Sequence, residues 1–118
     1  MLDNEALQDL QTIKQMALQN WGSNCEFADI KVANTPHSEF EFSIRLYHEI
    51  EVGIYYDRSA LDIGIRRGGK YDLLGTFTTK QVFRGMKAMN PVNLLSNFKV
   101  LDEVARGLIA GRHGEGVI

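Results

Sequence analysis

EFEFSIRLY (residues 39–47), EIEVGIYYD (49–57) and LDIGIR (61–66) are the stretches that decide the fold. In the first, Phe40, Phe42, Ile44 and Leu46 alternate with Glu39, Glu41, Ser43, Arg45 and Tyr47. In the second, Ile50, Val52, Ile54 and Tyr56 alternate with Glu49, Glu51, Gly53, Tyr55 and Asp57, and Leu61, Ile63 and Ile65 continue the pattern in the third. Successive side chains of a strand point to opposite faces, so this alternation predicts three strands with one apolar and one wet face. Weaker strands are expected over about 27–32 and, after the Gly68-Gly69 turn, over about 71–77.

The alternation also restricts the register, because a slip of one residue would turn every apolar side chain outward. A loop at 47–49 pairs Leu46 with Ile50 and Ile44 with Val52. A loop at 57–60 pairs Tyr56 with Leu61 and Ile54 with Ile63. The wet face then carries three rows: Arg45, Glu51 and Arg66; Ser43, Gly53 and Gly64; Glu41, Tyr55 and Asp62. The glycine row is expected to leave a shallow depression.

Helical periodicity flanks the strands. Leu2, Ala6, Leu10, Ile13, Ala17 and Trp21 form one apolar stripe, with Asp3 or Asn4 placed to cap its start and Gly22 to end it. Thr78 or Thr79 is placed to start a short helix reaching about Met89, with Val82, Phe83 and Met86 on its apolar side. Asn90-Pro91 reads as N-cap and first turn of a last helix. Its stripe is Leu94, Leu95, Phe98, Leu101, Val104, Ala105 and Leu108, and Gly111 is expected to end it, leaving 112–118 as a mobile tail. The expectation is one α+β domain: an antiparallel meander of about five strands, with an N-terminal helix and two C-terminal helices packed on one face.

Composition agrees with this class. The 118 residues suit one domain, and 44% hydrophobic with 24% charged residues is globular rather than disordered. Cys25 is the single cysteine, which excludes an internal disulfide. The opening residues lack the basic stretch of a secretion signal, and no apolar run is long enough to span a bilayer, so a cytoplasmic protein without a membrane partner is expected. A net charge of −2 gives no reason to expect direct nucleic-acid binding. The charge is uneven, however: residues 39–62 hold six acids against two arginines, whereas 80–118 hold six Lys/Arg against three acids.

Chemistry-bearing patterns are sparse. His37, His48 and His113 share no helical spacing, and Cys25 has no CxxC partner, so no metal site or cofactor is expected. Arg66-Arg67-Gly68-Gly69-Lys70 lacks the spacing of a phosphate loop and reads as a hairpin turn. Glu41, Tyr55 and Asp62 would sit on an open face rather than in the cleft that acid–base catalysis uses, so an enzyme is not expected. A partner-binding surface fits better. Tyr47 and Tyr55 among Glu41, Glu49, Glu51, Asp57 and Asp62 resemble an interface in composition.

Ile54-Tyr55-Tyr56-Asp57-Arg58, followed by Leu61-Asp62-Ile63-Gly64-Ile65, resembles hairpins of bacterial immunity proteins from contact-dependent growth-inhibition and other polymorphic toxin systems. The resemblance covers about twelve residues closely and the rest of the chain in outline. It implies a protein that neutralises a cognate toxin domain, often a nuclease, by occluding its active site. It carries over no binding residue by motif. Two other classes fit the size: a type III-like secretion chaperone, which would expose an apolar groove, and a small-molecule-binding or enzymatic domain, which would enclose a pocket.

Overall fold

The computed structural model describes residues 2–33 and 38–114. Helix α1 (Asn4–Trp21) leads through a short 3-10 turn into strands β1 (Cys25–Phe27) and β2 (Lys31–Val32). The hairpins follow as β3 (Glu39–Leu46), β4 (Ile50–Asp57), β5 (Ala60–Arg67) and β6 (Lys70–Leu73). Two 3-10 turns, Leu74–Phe77 and Met86–Met89, then precede helix α2 (Pro91–Gly114). The sheet is antiparallel throughout, in the order β1-β3-β4-β5-β6, with β2 beside β1 on the same edge of β3.

The register is the one that alternation demands. Leu46 pairs with Ile50 and Ile44 with Val52; Ile54 pairs with Ile63 and Tyr56 with Leu61. Between Asp57 and Ala60 the loop is only Arg58-Ser59, both at positive φ (49° and 71°), the backbone that tight hairpins require. The weaker strands differ from expectation. The segment 27–32 divides into two short strands, and 71–77 gives β6 followed by a 3-10 turn.

Both helices cover the apolar face. Asp3 caps α1 by accepting the amide of Ala6 at 2.8 Å, and Gly22 ends it with φ 58°. Ala6, Leu10, Ile13, Ala17 and Trp21 are buried as their stripe predicts, and so are Leu94, Phe98, Leu101 and Ala105 of α2. Trp21 packs on Phe98 with ring centroids 5.1 Å apart, and Phe40 stacks on Tyr56 at 4.4 Å. Asn90 caps α2 by accepting the amides of Val92 and Asn93, with Pro91 in the first turn. The helix runs past Gly111 to Gly114, and the end of the chain, 115–118, lies outside the described residues, as does His37.

Among the described residues there are two α-helices and not three. Residues 78–85 form no helix, because their polar backbone is matched elsewhere. Gly85 bridges Leu61 of β5 through paired hydrogen bonds. Phe83 exchanges two with Asn97, a fully buried side chain of α2, whose Oδ1 accepts at 2.9 Å while Nδ2 donates at 3.0 Å. The segment is thus laid along the sheet edge by an amide that imitates a strand. No helix among the described residues is long and apolar enough to cross a membrane.

Candidate functional site

The opposite sheet face carries no helix among the described residues. Its rows are those of the register: Arg45 faces Glu51; Ser43, Gly53 and Gly64 line up, with Leu73 beyond; Glu41, Tyr55 and Asp62 form the third, with Lys31 beside Glu41. Arg66 faces Tyr71 at the far edge.

Gly53 and Gly64 are buried. The Tyr55 side chain folds back along its own strand and lies over them: a Cβ added at Gly53 would stand 2.7 Å from the Tyr55 hydroxyl and 2.9 Å from its ring. At Gly64 a Cβ would meet the Tyr55 ring at 3.7 Å and Tyr71 at 3.4 Å. The glycines therefore provide a bed for an aromatic ring, which fills part of the expected depression; Ser43 and Gly53 still line the hollow beside it. Tyr71 sits edge-to-face with Tyr55, centroids 6.0 Å apart and planes at 83°. Tyr71 and Leu73 are each 36% exposed.

Two hollows adjoin this aromatic pair. One, of about 580 Å³, runs over Tyr55 and Tyr71 between Glu41, Glu51, Lys31 and Arg66. The other, of about 520 Å³, lies at the β3–β4 end of the sheet, between Glu39, Glu41, Asp57 and Asp62, with Tyr55 and Lys31 again in its wall. Lys31, Glu41 and Tyr55 are common to both.

The acids expected to form a patch are largely matched within the molecule. Glu51 accepts from Arg66 at 2.8 Å, Asp62 from Arg84 at 3.0 Å, and Asp57 from Arg58 at 2.9 Å. The Arg66 guanidinium, helped by the Tyr71 hydroxyl, holds the Glu51 carboxyl below its usual range despite partial burial. Burial raises the pKa of Tyr55, and the charges of Glu41 and Glu51 raise it further. Glu41 makes no ion pair among the described residues. The face is therefore a mosaic of both signs rather than an acidic field.

Tyr47 does not belong to it. Tyr47 and His48 take positive φ (54° and 60°), which ends the strand alternation and turns the Tyr47 ring toward α2. There its hydroxyl donates to Asp102 at 2.5 Å, while Trp21 Nε1 donates to the same oxygen at 2.8 Å and Arg106 to the other at 3.0 Å. This cluster ties the β3–β4 turn to both helices. Glu49, in the same turn, accepts Arg112 on its carbonyl at 3.3 Å, and His48 contacts Glu26 at 2.9 Å. The structure thus gathers Glu41, Glu51, Tyr55 and Asp62 on the open face, puts Asp57 at its rim, and removes Tyr47 from it.

Tyr71, Leu73 and Lys31 are members of the face that sequence reasoning missed. For Tyr71 and Leu73 the signal was the continuation of the Arg66 and Gly64 rows across the Gly68-Gly69 turn into β6; Lys31 comes from β2, beside Glu41. Among the described residues no group of three or more His, Cys, Asp or Glu is arranged to hold a metal ion. Cys25 is buried, and its thiol pKa is pushed up by desolvation, the opposite of an activated nucleophile. Comparison with known proteins finds no matching protein-family model, no matching curated protein and no matching solved structure.

Proposed function

We propose that this protein is a protein-binding module whose open sheet face docks a partner, and that the partner is a toxin domain whose active site it occludes. The observation that carries the binding reading is the uncovered face itself. It bears an aromatic pair bedded on glycines, an adjacent exposed leucine, and a rim of both charges. Aromatic anchors within a polar rim are the make-up of protein interfaces. Three strands of eight residues and one of four span roughly 450 Å² at ordinary strand spacing. With the rim included, that approaches the roughly 800 Å² each partner contributes to a standard interface.

The toxin reading rests on the likeness of the β4–β5 hairpin to those of immunity proteins. The internal pairing of Glu51, Asp57 and Asp62 refines it. A strongly basic cleft is not the best complement to a mosaic face; a partner surface of mixed charge with an apolar centre is. Specificity then comes from matching each charge, since a mismatched pair costs affinity.

The experiment is to isolate the stoichiometric complex from the source cells, free the partner by denaturation, and assay it. The proposal expects a refolded partner that is toxic when expressed alone and is silenced by one equivalent of this protein. It also expects Tyr71→Ala/Leu73→Glu to abolish both binding and protection. A partner without toxic activity removes the toxin reading; binding untouched by the double substitution removes the face.

A further inference from the structure

We infer that the Tyr55 ring and Glu41 form an anchor subsite for a single arginine side chain of the protein partner. The inference deepens the reading above and depends on it for the identity of the partner.

Three observations converge. The ring of Tyr55 is bedded on Gly53 and held edge-to-face by Tyr71, so its position is fixed before anything binds. Glu41 is its direct cross-strand neighbour and is exposed. Unlike Glu51, Asp57 and Asp62, it has no internal cation among the described residues. The two hollows meet at these two residues and Lys31, and each has several times the volume a guanidinium needs.

The ligand class follows from these groups. A planar cation stacks on an aromatic ring and forks toward a carboxylate at once, which an ammonium does less well. Burial is the main cause of the raised pKa of Tyr55, and the charges of Glu41 and Glu51 add to it, in keeping with a negative potential at the ring. The opposing charges are Lys31, the register partner of Glu41, and Arg66, which is committed to Glu51. Lys31 lines both hollows beside Glu41 without forming an ion pair with it, so the carboxylate is open to a cation from outside. An anionic ligand would meet Glu41 and Glu51, and a neutral ring would leave Glu41 unmatched.

The test is a titration of the free protein, followed by backbone amide NMR at low ionic strength. The probes are N-acetyl-arginine methylamide, the lysine analogue and the neutral citrulline analogue. The expected result is saturable millimolar binding of the arginine probe, with shifts centred on Glu41, Gly53, Tyr55 and Gly64. Citrulline should bind about tenfold more weakly, as loss of one charge-assisted contact implies. Glu41→Gln, at an exposed position, should weaken the arginine probe by about the same factor. Gly53→Ala, whose methyl group displaces the ring, should abolish the preference for arginine. Equal shifts with arginine and citrulline, unchanged binding in Glu41→Gln, or no saturable shifts at all would overturn the subsite. If the complex is still lost on Tyr71→Ala/Leu73→Glu in that event, the docking face stands and only its arginine anchor falls.

Discussion

Tyr55 lies where a side chain at position 53 would stand, and this one displacement defines the surface above it. Gly53→Ala puts a methyl group 2.7–2.9 Å from the Tyr55 hydroxyl and ring, so the ring must swing off the sheet. The obstacle is the far end of a side chain, and alanine is a better strand residue than glycine, so these effects largely offset. The expected stability change is within about 1 kcal/mol by chemical denaturation, with loss of the Tyr55–Tyr71 contact seen in their ring resonances. Tyr47 behaves differently. Its bond to Asp102 is internal, so Tyr47→Phe should cost about 1 kcal/mol without touching partner binding. Asp102→Ala should cost about 2–4 kcal/mol, because it strands Trp21 Nε1 and the Tyr47 hydroxyl together; thermal melts would check both. Neither environment was legible from residue type. Alternation placed Tyr47 on the wet face because nothing in the sequence marks Tyr47 and His48 as two successive residues of positive φ. The glycine row was read correctly, yet what fills it depends on the χ angles of Tyr55.

At the scale of elements, the strands were legible and the segment before α2 was not. Period-two alternation over three consecutive stretches leaves one register that buries Phe42, Ile44, Val52, Ile54, Ile63 and Ile65 together, and the chain adopts it. Val82, Phe83 and Met86 have helical spacing, but the segment holding them is too short to be helical on its own, and tertiary hydrogen bonds decide its shape. The deciding residue is Asn97, fully buried in the apolar stripe of a different element. Asn97→Leu should therefore free the backbone of Phe83 and lower stability by about 2–3 kcal/mol. Amide exchange should rise at Phe83 and Gly85 while α2 stays protected. The tight β4–β5 turn offers the reverse case. Arg58 holds φ 49°, and its ion pair with Asp57 is exposed and contributes little. Arg58→Asn should raise stability by about 0.5–1 kcal/mol, readable as a higher denaturation midpoint.

Across the whole molecule the tyrosines report burial on both faces of the sheet. All four have raised pKa values, with burial the largest cause in each. Tyr56 is pushed furthest, to about 12, by burial and by its bond to Asp9 of α1. Its stabilising effect is complete below the unfolded value near 10 and is lost as the pH rises toward 12. Stability should therefore fall by about 1–3 kcal/mol over that window from Tyr56 alone. Tyr56→Phe should flatten this part of the curve in urea denaturation series. The architecture was visible in the sequence as one apolar and one polar sheet face; the charge state of the polar face was not. Counting acids between 39 and 62 suggested an acidic surface. The row of Arg45, Glu51 and Arg66 already set Arg66 beside Glu51, but Arg84, which neutralises Asp62, comes from later in the chain and arrives only through folding.

The central claim is that the helix-free face of the sheet is where the partner docks. The most direct test is a binding comparison on the isolated complex with three variants: Tyr71→Ala/Leu73→Glu and Glu41→Lys/Asp62→Lys on that face, and Val92→Glu at the exposed start of α2. The account predicts that both face variants lose the partner by at least a hundredfold while Val92→Glu binds as the native protein does. Retention of the partner by both face variants, with loss on Val92→Glu, would contradict it and move the interface to the helical side.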